Sequence, residues 1–153
     1  MQLLHDVLIA VHAVFGGLAF VAGLVALRSG RLFAIFLWSL VGTIASLAGA
    51  VIVGWAAYTT AERIIFLGLT ALGVYMVARG VGAAQLRPAG GPSTRRYVSH
   101  LGFNLIALFD AFVVVLVLDL GGPVWLMVVA GVAIAVGGHF LLDAIEHRVV
   151  RTG

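Results

Sequence analysis

Five long apolar stretches follow one another along the chain, each separated from the next by a short polar segment. A membrane-spanning α-helix needs roughly 20 predominantly apolar residues. Each stretch is about that long, although the uninterrupted apolar core of the third is only 64–78, before Arg79. The sequence therefore predicts an all-α integral membrane protein, an up-down helical bundle of five transmembrane helices in a single domain. The expected helices occupy about 4–27, 32–57, 63–84, 97–118 and 124–146, and 85–96 is the one real loop.

The composition agrees with a surface that faces lipid. Hydrophobic residues make up 63% of the chain and charged residues only 10%, against about 25% charged residues in a soluble domain. The net charge of +3 is small and dispersed, which argues against nucleic acid as a partner. The lipid bilayer is the first partner that the composition predicts.

Residue content also excludes several kinds of chemistry. The chain has no Cys, so disulfides, cysteine-held iron–sulfur clusters and thioether-linked haem are ruled out. All nine basic residues are Arg, which removes lysine nucleophiles and Schiff bases. Walker-type phosphate loops, dinucleotide fingerprints, serine-nucleophile elbows and HExxH zinc motifs are missing too. The sequence indicates no reaction, and we expect a protein that is not an enzyme.

Arginines divide unevenly between the two sides of the expected bundle. Eight fall on the side that holds the first turn, the 85–96 loop and the C-terminal tail, and only Arg63 falls on the other. Cytoplasmic segments carry an excess of basic residues. The pattern predicts a plasma (inner) membrane protein with the N-terminus outside and the C-terminus in the cytoplasm. The eight are Arg28, Arg31, Arg79, Arg87, Arg95, Arg96, Arg148 and Arg151.

Small residues mark a packing face on the second helix. Gly42, Ser46, Ala50 and Gly54 recur every four residues, and this spacing lets helix backbones approach closely in a membrane. Ordinary packing within the bundle is one interpretation. A seam for self-association, or for contact with other membrane subunits, is the other.

A first group of polar residues lies on the fifth helix. His139, Asp143 and His147 are four residues apart, and Gly131 and Ala135 continue the same row. Residues at such offsets share a helix face, so we expect this row to point into the bundle. Imidazole and carboxylate at this spacing can bind a metal ion, or the acid can orient the histidine. The alternative is that the charged residues simply mark the water interface.

A second group lies on the fourth helix, where His100 and Asn104 are four residues apart. The fourth and fifth helices are expected to be antiparallel neighbours, because only a short turn joins them. His100, Asn104, His139, Asp143 and His147 would then form a two-helix constellation. It could hold a transition metal, with His139, Asp143, His147 and His100 as ligands, or haem b between His100 and His139. Their estimated depths differ by about one to two helical turns, which counts against the haem pair.

Two further polar residues lie deep in the expected spans. His12, seven residues after His5, is a third candidate cofactor ligand or a core histidine with a hydrogen-bond partner such as Tyr58. Asp110 lies near the middle of the fourth helix, where an isolated charge is unfavourable. It is therefore expected to be protonated or hydrogen-bonded, and it is a candidate proton relay.

Two segments, 11–17 and 75–84, give the chain a family resemblance. The first reads VHAVFGG and the second YMVARGVGAA, and an Arg-rich loop and Asn104 follow the second. In these segments the chain resembles an uncharacterised family of small bacterial multi-pass membrane proteins, which are compared with di-haem cytochrome b-type helical bundles. The resemblance implies a helical membrane bundle with a redox leaning. The chain has Leu32 and Phe33 where that family is expected to carry a histidine.

The functional prediction from sequence has three branches. The first is a membrane binding or accessory protein with a histidine-based haem or metal site, linked to a redox chain. The second is a cofactor-free structural or assembly subunit of a larger membrane complex. The third is a small proton or solute transporter that uses Asp110 and His139. The absence of a broken-helix signature argues against a transporter.

Overall fold

The computed structural model describes residues 2–88 and 93–151, apart from the side chains of 61, 118, 119, 124 and 146–151. It contains five α-helices, and all five are long and apolar enough to cross a membrane. This confirms the predicted all-α bundle of five helices. The helices are α1 (Gln2–Ser29), α2 (Phe33–Gly54), α3 (Thr60–Gln85), α4 (Arg95–Asp119) and α5 (Val124–Arg151).

Local chemistry explains where α1 ends and where α3 begins. Gly30 adopts a left-handed conformation at φ 66°. Its backbone N–H donates a hydrogen bond of 2.8 Å to the Ala26 carbonyl oxygen and so closes the last turn of α1. This conformation suits glycine, which lacks a Cβ. At the other end, Thr59 and Glu62 form a reciprocal capping box that starts α3 at Thr60. As a result α3 begins three residues before the predicted position.

Helices α1 to α4 form a closed ring. Helix α1 contacts α2 and α4, and α3 contacts the same two helices. The side chains of Tyr97, Phe36, Leu40, Leu101 and Asn104 are fully buried within this ring. Among the described residues, α5 packs against α4 alone. The fold is therefore a four-helix bundle with a fifth helix attached to one side.

The small-residue face of α2 packs against α1 within the bundle. Ser46 and Ala50 are buried, and a Cβ added to Gly42 would lie 2.9 Å from the ring of Phe15 in α1. Close approach of α1 and α2 depends on this face. The ordinary-packing interpretation of the α2 pattern fits this arrangement.

The α1–α2 turn and the α3–α4 connection lie at the same end of the bundle. A Cβ added to Gly30 would be 3.2 Å from Pro88, and the Arg87 guanidinium lies 6.0 Å from the centre of the Phe33 ring. Helix α5 runs towards this end as well, because Leu142 packs against Gly102 near the start of α4. We call this the arginine-rich end.

Candidate polar site between helices α3 and α4

The predicted row of polar residues on α5 does not point into the bundle. Ala135, His139 and Asp143 are all exposed, and no side chain in 125–145 is buried. Helix α5 instead faces α4 through Gly131 and Gly138, where an added Cβ would lie 3.3 Å from Asp110 and 2.7 Å from Ile106. The expectation that the His139 row is an interior face is therefore wrong.

The expected metal cluster also lacks geometric support. The side chain of His147 lies outside the described part of the chain. Within the described part, no group of three or more His, Asp or Glu side chains is arranged to hold a metal ion. His139 has an aromatic neighbour, Phe140, with ring centroids 6.0 Å apart.

His100 and His139 are turned towards different surroundings. His100 faces α3, where a Cβ added to Gly82 would lie 3.2 Å from its imidazole. Helix α5, which carries His139, has no contact with α3 within the described residues. A haem held between these two histidines would need both rings on opposite sides of one space. This arrangement does not provide that space.

The two histidines of α1 join α1 to α2. His12 donates through Nδ1 to the Thr43 carbonyl oxygen at 2.9 Å, and His5 donates to the Ala50 carbonyl oxygen at 3.2 Å. Both pairs lie in the seam between antiparallel helices, seven residues apart on each. The partner of His12 is thus a backbone group of α2 and not the Tyr58 side chain suggested from the sequence. This geometry fits the core-histidine interpretation.

A different polar group lies between α3 and α4, near the arginine-rich end. We call Arg79, Ser99, His100 and Asn104 the α3–α4 polar cluster. The Arg79 guanidinium donates to the Ser99 carbonyl oxygen at 2.8 Å and to its hydroxyl at 3.3 Å. It also lies 5.0 Å from the centre of the Phe103 ring, a cation–π distance. Arg79 is therefore fixed against α4.

Asn104 occupies the deepest position of the cluster. It is 0% exposed, and neither its amide nitrogen nor its amide oxygen has a hydrogen-bond partner among the described residues. His100 Nδ1 and Arg79 Nε are likewise buried without a partner. Buried polar groups are nearly always hydrogen-bonded in folded proteins. Four such atoms on three neighbouring side chains form the largest group of buried, unpartnered polar atoms in the described part of the chain.

Glycines on α3 make room beside these side chains. A Cβ added to Gly80 would lie 3.6 Å from the Asn104 amide nitrogen. One added to Gly82 would press on the His100 ring. The α3 backbone can therefore approach α4 closely here, and the polar side chains of His100 and Asn104 pack directly against it.

The electrostatics of the cluster are positive. The guanidinium groups of Arg79 and Arg96 both contribute a positive electrostatic potential at His100. No carboxylate in the described part of the chain forms an ion pair with Arg79. An uncompensated guanidinium in a low-dielectric region favours an anion. The arrangement suits a carboxylate or phosphate at Arg79 and His100.

Part of this cluster could be predicted from the sequence. The four-residue spacing places His100 and Asn104 on one face of α4, and both lie on the face of α4 that packs against α3. The helical pattern assigned Arg79 no role in a site. The available signal was a lone arginine inside an apolar helix, four residues after Tyr75, whose hydroxyl lies 3.4 Å from the guanidinium.

The chain matches no protein-family model, no curated protein and no solved structure. The functional proposal therefore depends on the geometry of α3 and α4.

Proposed function

We propose that this chain is a membrane-embedded binding protein that holds an anionic head group between α3 and α4 at the arginine-rich end. One observation carries the proposal: Asn104 is completely buried and its amide has no partner within the described residues. His100, one turn away on the same face, has a buried unpartnered nitrogen as well. A ligand that satisfies these groups would account for their retention in an apolar bundle.

Burying the Asn104 amide without a partner is energetically costly. Each buried polar group without a partner costs about 1–3 kcal/mol of stability, and leucine has the same branched arrangement of side-chain heavy atoms without the polar groups. Polar residues at membrane depth are expensive and commonly mark binding sites or pathways. Ordered water is the other way to satisfy the groups, and the binding experiment below separates the two.

The chemistry of the cluster selects the ligand class. Arg79 supplies a fixed positive charge and two-nitrogen geometry suited to phosphate or carboxylate. His100 adds a second donor or acceptor, and Asn104 can bond a carbonyl or hydroxyl deeper in the membrane. The Arg79 Cα lies six residues before the end of α3, roughly 9 Å below it at 1.5 Å per residue. An acidic phospholipid, with its phosphate near the interface and ester carbonyls below, matches this order.

The proposed orientation follows from the arginines. Their concentration at one end favours a cytoplasmic location for that end, with the start of α1 outside. The natural chain contains no cysteine, so single-cysteine variants report cleanly on sidedness. Ser29→Cys and Ser93→Cys should react with an impermeant maleimide only from the cytoplasmic side, and Thr60→Cys only from outside. Labelling of Ser29→Cys and Ser93→Cys from opposite sides would contradict the orientation.

Lipid binding can be measured by native mass spectrometry of the purified protein. We expect phosphatidylglycerol to be retained in preference to phosphatidylcholine, and retention to fall at least about tenfold in Arg79→Gln, equivalent to about 1.4 kcal/mol. The matched control is Arg63→Gln, which removes the other arginine of α3, at the opposite end, where it stacks on Trp55. Competition by inorganic phosphate would indicate a free anion as ligand. Equal retention of both lipids, unchanged in Arg79→Gln, would refute the proposal.

A second function is favoured by the position of α5. This helix packs against α4 alone and exposes His139, so its outer face is open to another membrane subunit. In that case the chain is an accessory subunit of a larger complex. Val136→Trp on α5 should then reduce the size of the complex extracted in mild detergent, whereas Val74→Trp, on the exposed face of α3, should not. Unchanged size in both variants would exclude this role.

A further inference from the structure

Asp110 lies between α4 and α5, well inside the apolar span. It is the sixteenth residue of α4, which has 25 residues, and its side chain is partly buried. One carboxyl oxygen, Oδ1, is buried and has no hydrogen-bond partner among the described residues. The carboxyl group rests against the backbone of α5, because a Cβ added to Gly131 would lie only 3.3 Å from Oδ1.

No charged group in the described part of the chain faces this carboxyl from the packed helices. On α5 the nearest titratable residue is His139, eight residues and roughly 12 Å along the helix from Gly131, and it is exposed. Helix α1 reaches this level through Phe20, which stacks on Phe109. Its nearest titratable residues are His12 and Arg28, each eight residues from Phe20 and roughly 12 Å away along the helix. These distances leave Asp110 without an ionic partner.

Helices α4 and α3 also place no ionic partner beside Asp110. On α4 itself His100 precedes Asp110 by ten residues, or roughly 15 Å, and Asp119 follows it by nine, or roughly 14 Å. Helix α3 meets α4 nearer its start, where Arg79 bonds Ser99. An ionised carboxylate in such surroundings lacks both water and a counter-ion, so the neutral acid is the favoured form.

We propose that Asp110 is a membrane-interior proton-binding site, occupied by a proton in the resting protein, and that Gly131 provides the space for it between α4 and α5. The ligand is the proton itself. The site is separate from the α3–α4 polar cluster, because Asp110 faces α5 while His100 faces α3. Proton binding at Asp110 is a property additional to the proposed head-group binding and does not depend on it.

Infrared spectroscopy of the purified protein at neutral pH tests the proposal without any added reagent. A protonated carboxyl has a carbonyl band distinct from that of a carboxylate. We expect such a band in the natural protein, its loss in Asp110→Asn, and its retention in Asp143→Asn. A neutral-pH spectrum with no protonated-carboxyl band, or a band that Asp110→Asn leaves in place, would overturn the assignment.

Two glycine variants test the placement against α5. Gly131→Ala puts a methyl group against the carboxyl and should shift the band, whereas Gly137→Ala enters open space and should leave it unchanged. If Gly131→Ala has no effect on the band, Asp110 does not rest on α5 and the spacing role of Gly131 is refuted. Lipid retention should be normal in Asp110→Asn, so failure here and failure of the binding proposal are distinguishable.

Discussion

Tyr97 donates a hydrogen bond of 2.8 Å to the backbone carbonyl oxygen of Ala26, joining the start of α4 to the end of α1. Both residues are fully buried, and the Tyr97 ring packs against Phe33 with centroids 6.1 Å apart. Because Tyr97 precedes His100 by less than one turn, this bond helps fix the register of α4 where the polar cluster lies. The same carbonyl oxygen also accepts the Gly30 amide.

Tyr97→Phe should lower the free energy of unfolding by about 0.5–1.5 kcal/mol, the usual net contribution of one hydrogen bond. The ring remains in place, and the Ala26 carbonyl oxygen keeps its bond from Gly30, so the loss should stay within that range. Thermal unfolding in detergent measures it. Tyr75→Phe is the control, since Tyr75 is 49% exposed and its hydroxyl accepts only a long, exposed bond of 3.4 Å from Arg79, whose loss should cost less. Equal melting temperatures for the two variants would contradict the assigned bond.

His12→Leu should destabilise the protein by a similar amount, about 0.5–1.5 kcal/mol, because it removes the bond to the Thr43 carbonyl oxygen between α1 and α2. His139→Leu is the matched change on an exposed side chain of α5 and should leave stability unchanged. Circular dichroism melts of both proteins give the comparison. A larger loss in His139→Leu than in His12→Leu would reverse the assignment of interior and exterior histidines.

Gly23→Ala should destabilise the bundle by about 1–3 kcal/mol, the usual effect of overpacking. Its added Cβ would lie 2.8 Å from Leu105 and 3.0 Å from Phe36, so α1, α2 and α4 would all have to adjust. Gly17→Ala meets nothing within 4 Å and should be neutral or stabilising. Chemical unfolding of the two variants provides the measurement, and comparable losses in both would be inconsistent with the α1 packing.

Tyr58 gives a pH-dependent prediction in the turn between α2 and α3. Burial raises the pKa of its phenol above the ordinary value of 10.0, and the nearby Glu62 carboxylate raises it further. The folded protein therefore holds this proton where the unfolded chain has lost it. The resulting stabilisation is complete below the ordinary pKa and is lost as pH rises through the folded value.

The phenolate absorbance of the natural protein minus that of Tyr58→Phe isolates the titration of Tyr58. Its midpoint should lie above that of tyrosine in the unfolded chain. A midpoint at or below the unfolded value would show that the ring is not buried against α2, where its hydroxyl approaches Gly54.

Apolar length was enough to predict the five helices, because a bilayer constrains length and hydrophobicity so strongly. Side-chain direction was predicted less well, and the spacing of the polar residues explains why. Eight residues turn an α-helix about 80° beyond two full turns, so His139 drifts away from the face of Gly131. Seven residues return to within about 20°, which keeps Gly131 and Gly138 together on α4.

The same seven-residue spacing describes the contacts of α1. His5 and His12 are seven residues apart and both bond to α2, through carbonyl groups of Ala50 and Thr43 that are also seven apart. The contacts between α3 and α4 could not be predicted in this way. Neither the alignment of Arg79 with Ser99 nor the enclosure of Asn104 can be obtained from the periodicity of one helix, since both depend on how α3 and α4 meet.

The stability of Asn104→Leu, with and without phosphatidylglycerol, tests the central claim most directly. If the Asn104 amide is retained for a ligand, leucine should raise the melting temperature of the delipidated protein. It should also abolish the upward shift that phosphatidylglycerol gives the natural protein. A variant that is less stable than the natural protein and still shifts fully with the lipid would contradict the account, because Asn104 would then be a structural residue outside any binding site.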